Sequence, residues 1–328
     1  MKKAFKYVGR TIWSLITVLL LIVFFLTGII WILEFGPSPT ARNLFVNSAM
    51  ESSAGKFLAT MFIEEEEVAK IMAKNEVVAT DEVTNSDMIV IEEPEEAIPE
   101  EEELQILEIN GPAYSGYAVL VKDPSRVSVG ISGPYGEGYR GKTVAAMCEE
   151  TGSTLAVNGG GFEDTDGMGT GAIPIGIVIH DGELLWGEPD STYEVIGFDS
   201  DNKLVVGKMT AKAALERGIQ SALSFGPTLI VNGEPANISG AGSGMNPRTA
   251  IGQAADGTVI ILVIDGRQAN SLGATFEDLI NVMLEYGAVN AANLDGGSST
   301  YMYYQGEYVN KGASMLGPRK GPTCILVK

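Results

Sequence analysis

Two aspartates, Asp265 and Asp295, each end an apolar run, and each is followed by glycine and by groups that hold anions. Arg267 follows the first. Gly296, Gly297, Ser298, Ser299 and Thr300 follow the second. A carboxylate can serve as nucleophile, general base or orienting group. Glycines let backbone N–H groups close on an anion, and serine and threonine hydroxyls add donors. Arg248, read as part of a loop ahead of the first apolar run, adds a guanidinium fork suited to phosphate. Two carboxylates, two arginines and a glycine-serine loop together suit a ligand that is both sugar-like and phosphorylated.

The elements around these residues set where they can meet. Val259 to Asp265 is β-branched and ends in Asp-Gly, the pattern of a buried strand running into a turn. Thr275 with Asp278 three positions on is a capping box. Phe276, Leu279, Ile280, Met283 and Tyr286 then recur at helical spacing up to Gly287. Asn290 to Asp295 is a second short strand. Strand, helix, strand is a βαβ unit whose two strands are usually neighbours, so Asp265 and Asp295 are expected side by side on one rim. Open sheets take ligands at such a rim.

The folded region is expected from Leu104 to the end, residues 104–328. Its short strands, glycines and turns include Val127–Ile131, the hairpin of Ile175–His180 and Glu183–Trp186 across Asp181-Gly182, and a helix over Lys142–Thr151. Strands outnumber helices, which predicts an α+β class: a single mixed-sheet domain with the βαβ unit near its C-terminus.

Composition excludes several functions. A net charge of −20 argues against nucleic acid, whose phosphates would be repelled. Two cysteines, Cys148 and Cys324, are too few for a disulfide framework and read as two free buried thiols. The one histidine, His180, sits at a hairpin turn and is a poor candidate base for a Ser-His-Asp mechanism. Asp164 to Gly169 partly resembles a calcium loop but lacks the downstream bidentate glutamate, so no metal and no cofactor is expected.

The N-terminal third reads differently. Thr11 to Leu33 is 23 uncharged residues, roughly 35 Å as a helix at ~1.5 Å per residue, enough to span a bilayer. Lys2, Lys3, Lys6 and Arg10 precede this transmembrane helix of residues 11–33. They place residues 1–10 in the cytoplasm and everything after the span outside the cell. Residues 34–75 carry spaced apolar positions and read as a juxtamembrane amphipathic stalk. Residues 76–103 contain no basic side chain, and Glu92 to Glu103 holds eight glutamates with Pro94 and Pro99, the composition of an extended, mobile acidic linker.

With N-G-G-G-F at Asn158–Phe162, P-I-G at Pro174–Gly176, N-P-R-T-A-I-G at Asn246–Gly252, D-G-R at Asp265–Arg267 and N-L-D-G-G-S-S at Asn293–Ser299, the chain resembles the phosphodiester glycosidase family. Many members read N-G-G-F-F and N-L-D-G-G-G-S-S; this chain has Gly161 before Phe162 and one glycine fewer before Ser298. The resemblance implies hydrolysis of a glycosyl–phosphate link. Arg248, Arg267 and the Gly296–Ser299 backbone would neutralise the phosphate, and Asn158 and Asn293 would hydrogen-bond sugar or phosphate. Asp295 would be nucleophile or base and Asp265 would orient a hydroxyl or an arginine, although the two roles can be exchanged. The reading is a membrane-anchored extracellular hydrolase of glycosyl phosphodiesters in cell-surface polymers. A non-catalytic sugar-phosphate-binding factor in exopolysaccharide assembly is the alternative.

Overall fold

In the computed structural model, the residues described are 2–52, 55–78, 80–91, 103–164, 169–240, 242–314 and 316–328. The chain opens on helix α1 (Lys2–Phe35), of which Tyr7–Phe35 is long and apolar enough to cross a membrane, with a mean hydropathy of 2.9. Most of the leucines and phenylalanines between Tyr7 and Phe35 are exposed, as Phe24 is at 79%. Three residues later α2 (Pro39–Met50) begins, with the Ser38 hydroxyl accepting from the Ala41 N–H and proline at the first position. Two further helices, α3 (Lys56–Ala59) and α4 (Glu65–Ala73), fold onto α2 around a small core of Val46, Ala49, Ala59, Val68 and Ile71.

Residues 76–91 depart from the mobile linker expected of them. Val77 and Val78 pair with Ile238 and Asn237. Thr84 exchanges two hydrogen bonds with Val206, the Val90 N–H donates to the Ala255 carbonyl at 2.8 Å, and Ile89 is fully buried. Acidic composition argued for solvation, but alternate apolar side chains and free backbone edges decided the outcome. The glutamate-rich residues 92–102 lie outside the described residues.

The larger folded body follows. A hairpin of β1 (Leu104–Asn110) and β2 (Ser115–Val121) leads through a turn capped by Asp123 to β3 (Val127–Ile131). Helix α5 (Val144–Thr151) starts at Thr143, whose hydroxyl accepts from Ala146 N–H, and stops at Gly152 in the left-handed conformation before β4 (Leu155–Asn158). Strands β5 (Val178–His180) and β6 (Glu183–Trp186) close over Asp181-Gly182, both at positive φ. Next come β7 (Thr192–Asp199), β8 (Leu204–Thr210), α6 (Ala211–Glu216), β9 (Ile219–Ser224) and β10 (Thr228–Val231), the last two separated by a cis Gly226–Pro227 bond. The C-terminal part supplies β11 (Arg248–Ala254), β12 (Val259–Ile264), α7 (Phe276–Glu285), β13 (Ala288–Leu294), β14 (Met302–Tyr304), β15 (Glu307–Tyr308) and β16 (Thr323–Val327).

These strands form a seven-stranded sheet in the order Glu234–Pro235, β10, β13, β11, β12, β2, β1, flanked by two five-stranded sheets, β6-β5-β9-β7-β8 and β15-β14-β4-β16-β3. One hydrophobic core is common to all three. Ile251, Ile261, Val263 and Leu294 point into it from the large sheet and meet Leu155, Phe198, Leu204 and Ile325. The alternate residues Ala250, Ile260, Leu262 and Ile264 face the other way, where Phe276, Leu279, Ile280 and Met283 of α7 cover them. Gly252 lets α7 approach this closely, since a Cβ there would stand 2.8 Å from the Met283 sulfur.

The α+β class and the strand–helix–strand unit read from the sequence are present, and both halves of the Thr275–Asp278 capping box form. Its two strands are not the expected neighbours. β11 lies between β12 and β13, and every ladder among the described residues is antiparallel, where mixed pairing was expected. The sequence reading assigned Arg248 to a loop, whereas it opens this intervening strand. Such a crossover over one strand still leaves the carboxyl ends of β12 and β13 on the same rim.

Candidate active site

Register sets the rim. Arg248 pairs with Ile264 and Thr249 with Leu294, so Asp265 and Asp295 each lie one residue past a strand end, with the start of β11 between them. Two strand spacings separate the aspartate backbones by roughly 10 Å. They share the rim without standing side by side.

Asp295 is fixed from several directions. Its N–H donates to the Gly159 carbonyl at 2.9 Å, and its own carbonyl accepts from the Asn158 amide. Its carboxylate accepts from the Gly296 N–H at 2.9 Å and from the Ser299 hydroxyl. Burial pushes its pKa up to about 6, against the lowering effect of those two hydrogen bonds and of nearby Arg319. A carboxyl that changes charge near pH 6 is suited to proton transfer or to nucleophilic attack when ionised. Asp265 is held otherwise: the Asn310 amide donates to it at 3.0 Å and the Lys311 backbone N–H also reaches it, while burial raises its pKa. Asn310 also binds the Thr300 carbonyl and the Met302 N–H, which ties Asp265 to the turn carrying Asp295.

Arg248 is 6% exposed and lies with its guanidinium carbon 4.1 Å from the centre of the Phe276 ring. It donates to the Ala274 and Gly244 carbonyls and to the Ser243 hydroxyl, and its remaining partner comes from far away in sequence: the Glu51 carboxylate, at 2.6 Å. Asn246 donates to the same Glu51 oxygen at 2.7 Å and accepts from Arg267 at 2.9 Å. The end of α2 is locked here, since the Met245 N–H donates to Ser48 and Gly244 lacks the Cβ that Ser48 would meet. Arg267 has φ +57° and its guanidinium lies beside Gly297. Burial lowers the pKa of both guanidinium groups, the Arg248 charge lowers that of Arg267 further, and Glu51 opposes the shift in both.

Three expected roles do not survive the geometry. Asn158 is 6% exposed, and its side chain is used up by Thr249, Tyr301 and Asp295. Asn293 is 1% exposed and donates to the Gly226 carbonyl. Both hold backbone in place instead of facing a ligand. Three of the four amides of the Gly296–Ser299 turn are engaged within the protein and not turned to an anion: Gly296 N–H serves Asp295, Gly297 N–H the Pro247 carbonyl and Ser299 N–H the Gly296 carbonyl. The turn's hydroxyls are engaged as well, Ser299 with the Asp295 carboxylate and Ser298 with Arg319.

Sequence reading missed Glu51, Asn246, Asn310, Asp164 and Arg319. Arg319 forms a two-pronged pair with Asp164, both contacts 2.8 Å, stacks 5.0 Å from the centre of the Phe162 ring and reaches Ser298 at 3.4 Å. The Asp164 carboxylate, in the segment that partly resembles a calcium loop, therefore faces a guanidinium; residues 165–168 of that segment lie outside the described residues. The signal was the run G-P-R-K-G-P at Gly317–Pro322, a charged turn just before a strand. His180 ends β5 next to Asp181 and touches none of these groups, as expected of a turn histidine. Cys148 and Cys324 are free and buried.

Comparison with known proteins places these residues in a lineage. The phosphodiester glycosidase family model matches residues 151–328, more than half of the chain. An SPbeta prophage-derived uncharacterized protein, YomE, of Bacillus subtilis (strain 168) is 30% identical over 179 residues, 52% of this chain and 27% of its own length. The N-acetylglucosamine-1-phosphodiester alpha-N-acetylglucosaminidase of Mus musculus is 28% identical over 218 residues, 60% of this chain and 41% of its own. The chain thus spans well under half the length of these relatives. Among solved structures, the zebrafish catalytic domain of that glycosaminidase, described as auto-inhibited by its pro-peptide, has a TM-score of 0.55 at 23% identity and covers 68% of this chain and 81% of its own. The family model covers more than half of the chain, and the chain belongs to the phosphodiester glycosidase family.

Proposed function

We propose that the protein hydrolyses a glycosyl phosphodiester at the bond between the sugar carbon and the phosphate oxygen. The observation that carries this reading is the half-buried Asp295 carboxyl, held by Gly296 and Ser299 on the same rim as Arg248 and Arg267, where burial pushes its pKa up to about 6. In the reaction the carbon–oxygen bond breaks, its electron pair leaves on the phosphate oxygen, and water supplies a hydroxyl to the sugar. A phosphomonoester is a good leaving group, so the site's main task is to offset charge and to deliver a nucleophile or base to the sugar. Asp295 fills the second role. The arginines fill the first, and Asp265 orients a substrate hydroxyl through the frame Asn310 gives it.

The same reading places α1 in a membrane, the N-terminal lysines in the cytoplasm and the hydrolase outside the cell, acting on cell-surface or extracellular polysaccharide. It also treats the present arrangement as a closed form. Glu51 puts a carboxylate where a substrate phosphate would meet Arg248 and Asn246, so the helices of residues 39–73 must move for substrate to enter. The similar zebrafish domain is described as auto-inhibited by a pro-peptide.

The test is product analysis on a panel of sugar-1-phosphodiesters, with full-length protein and its Asp295→Asn variant. Release of a reducing sugar and a phosphomonoester by the first and not the second is expected. Binding without turnover by both would favour the alternative of a sugar-phosphate-binding factor, and phosphate-side cleavage would sink the assignment of the broken bond.

A further inference from the structure

The Asp164–Arg319 pair is not accounted for by the chemistry above. It is well built: the guanidinium meets both carboxylate oxygens at 2.8 Å, each side chain is 17% exposed, and the Phe162 ring backs the plane of the arginine. Such a two-pronged pair fixes an arginine in position far better than a single contact does. Arg319 then reaches forward to Ser298, one residue from the Ser299 whose hydroxyl binds Asp295. Arg319, Asp295, Ser299, Asn158 and Phe162 line one narrow cavity.

We propose that Arg319, clamped by Asp164, is a positioning residue for Asp295: it fixes the short turn Gly297–Ser299 through Ser298 and supplies the positive charge that lets the cavity hold an ionised carboxylate. This rests on the reading that Asp295 is the reacting carboxylate, but the coupling itself can be measured without turnover.

The other charged groups around Asp295 do not substitute for it. Lys142 lines the cavity but is paired with Glu150 at 2.5 Å, and Lys320 borders it from the next position of the same loop. Asp164 opposes ionisation of Asp295 by its charge, so its own pairing with Arg319 matters twice: it orients the cation and has its own charge neutralised. Arg248, Arg267 and Glu51 act on one another's charge, whereas Arg319 and Asp164 are the charged groups acting on Asp295. Arg319 is thus the cation assigned to this carboxylate, and its removal leaves Asp295 with burial and two hydrogen bonds.

The experiment titrates the Asp295 carboxyl directly by carbon-13 NMR of labelled full-length protein, in wild type, Arg319→Gln and Arg319→Lys, and measures the acid limb of kcat/KM in parallel. Arg319→Gln is expected to raise the Asp295 midpoint by roughly one pH unit, the scale of a lost neighbouring charge. The acid limb should follow it upward, with about tenfold loss of rate below the midpoint. Lysine keeps the charge but not the two-pronged clamp, so it should restore part of the shift. An Asp295 midpoint unchanged in both variants would overturn the proposal. If the glutamine variant does not fold, Arg319→Met takes its place, with an unmoved midpoint counting against. A shifted midpoint with an unmoved acid limb would keep the coupling and remove Asp295 from the reaction, so the two readings fail separately.

Discussion

Replacing Glu51 by alanine should open the rim. In the folded chain Glu51 accepts from the Arg248 guanidinium at 2.6 Å and from Asn246 at 2.7 Å, with its side chain 29% exposed. A hydrogen bond to a charged group contributes about 1.5–3 kcal/mol, and water reaches part of this pair, so the two together are worth about 3 kcal/mol. Arg248 keeps the Ser243 hydroxyl and the Gly244 and Ala274 carbonyls, so it stays in place once Glu51 is gone. Docking of residues 39–73 then rests on contacts such as Ser48 with Met245, Glu76 with Ser239 and the short ladder at Val77–Val78. At about 1.4 kcal/mol per decade, 3 kcal/mol moves the closed-to-open ratio roughly 100-fold. The assay is kcat/KM of detergent-solubilised full-length protein on a glycosyl phosphodiester, with inorganic phosphate as a competitive probe of the freed arginine. A rise of tens of fold, with phosphate binding more tightly, is expected. Glu51→Gln keeps the Asn246 contact and should fall between. A kcat/KM within twofold of wild type in a folded Glu51→Ala protein would refute the idea that this carboxylate blocks the site.

Four further outcomes follow from the same structure. The Asp295 pKa is raised from 3.8 to about 6 on folding, so its contribution favours the folded state at low pH and is lost as pH rises from about 4 through 6. Asp295→Asn should therefore be more stable at pH 7 by up to about 3 kcal/mol while inactive, which chemical denaturation at pH 4 and pH 7 would detect. Thr249→Val removes the 2.7 Å bond that fixes Asn158 behind Asp295; it should cost about 1 kcal/mol and lower kcat more than it changes KM. Ile261→Ala, fully buried in the core common to the three sheets, should cost 2–5 kcal/mol in urea unfolding, with the larger part of that range expected for a site walled on all sides. Removing residues 2–35 should give protein that stays soluble without detergent, since the exposed apolar surface of α1 goes with them.

How much of this the sequence showed differs by element. Local chemistry was readable where a few neighbouring residues decide the conformation: the capping box at Thr275, the left-handed turn at Asp181-Gly182, and the strand endings at Asp265 and Asp295. Strand order was not. The apolar run that marks β12 as buried, and the Asp-Gly ending it shares with β13, say nothing about which strand lies between them, and β11 carries Gly252 and polar Thr249 and Gln253, which hid its pairing. The rim was therefore placed correctly while its spacing was not. The asparagines were misjudged because composition cannot distinguish a buried amide holding backbone from one facing a ligand. Glu51 lies 197 positions before Arg248, and no spacing rule reaches that far.

Only three residues separate the end of α1 from Pro39, and α2 runs from there to within one residue of Glu51. Twelve helical residues span about 18 Å, so if α1 lies in a membrane, as proposed, the docked carboxylate and the rim beneath it stay within a couple of helix lengths of the lipid. Diffusible oligosaccharides and long glycans would then differ in access: a polymer must thread the gap between protein and bilayer, while a short fragment, or a lipid-linked one already lying in that layer, arrives without detour.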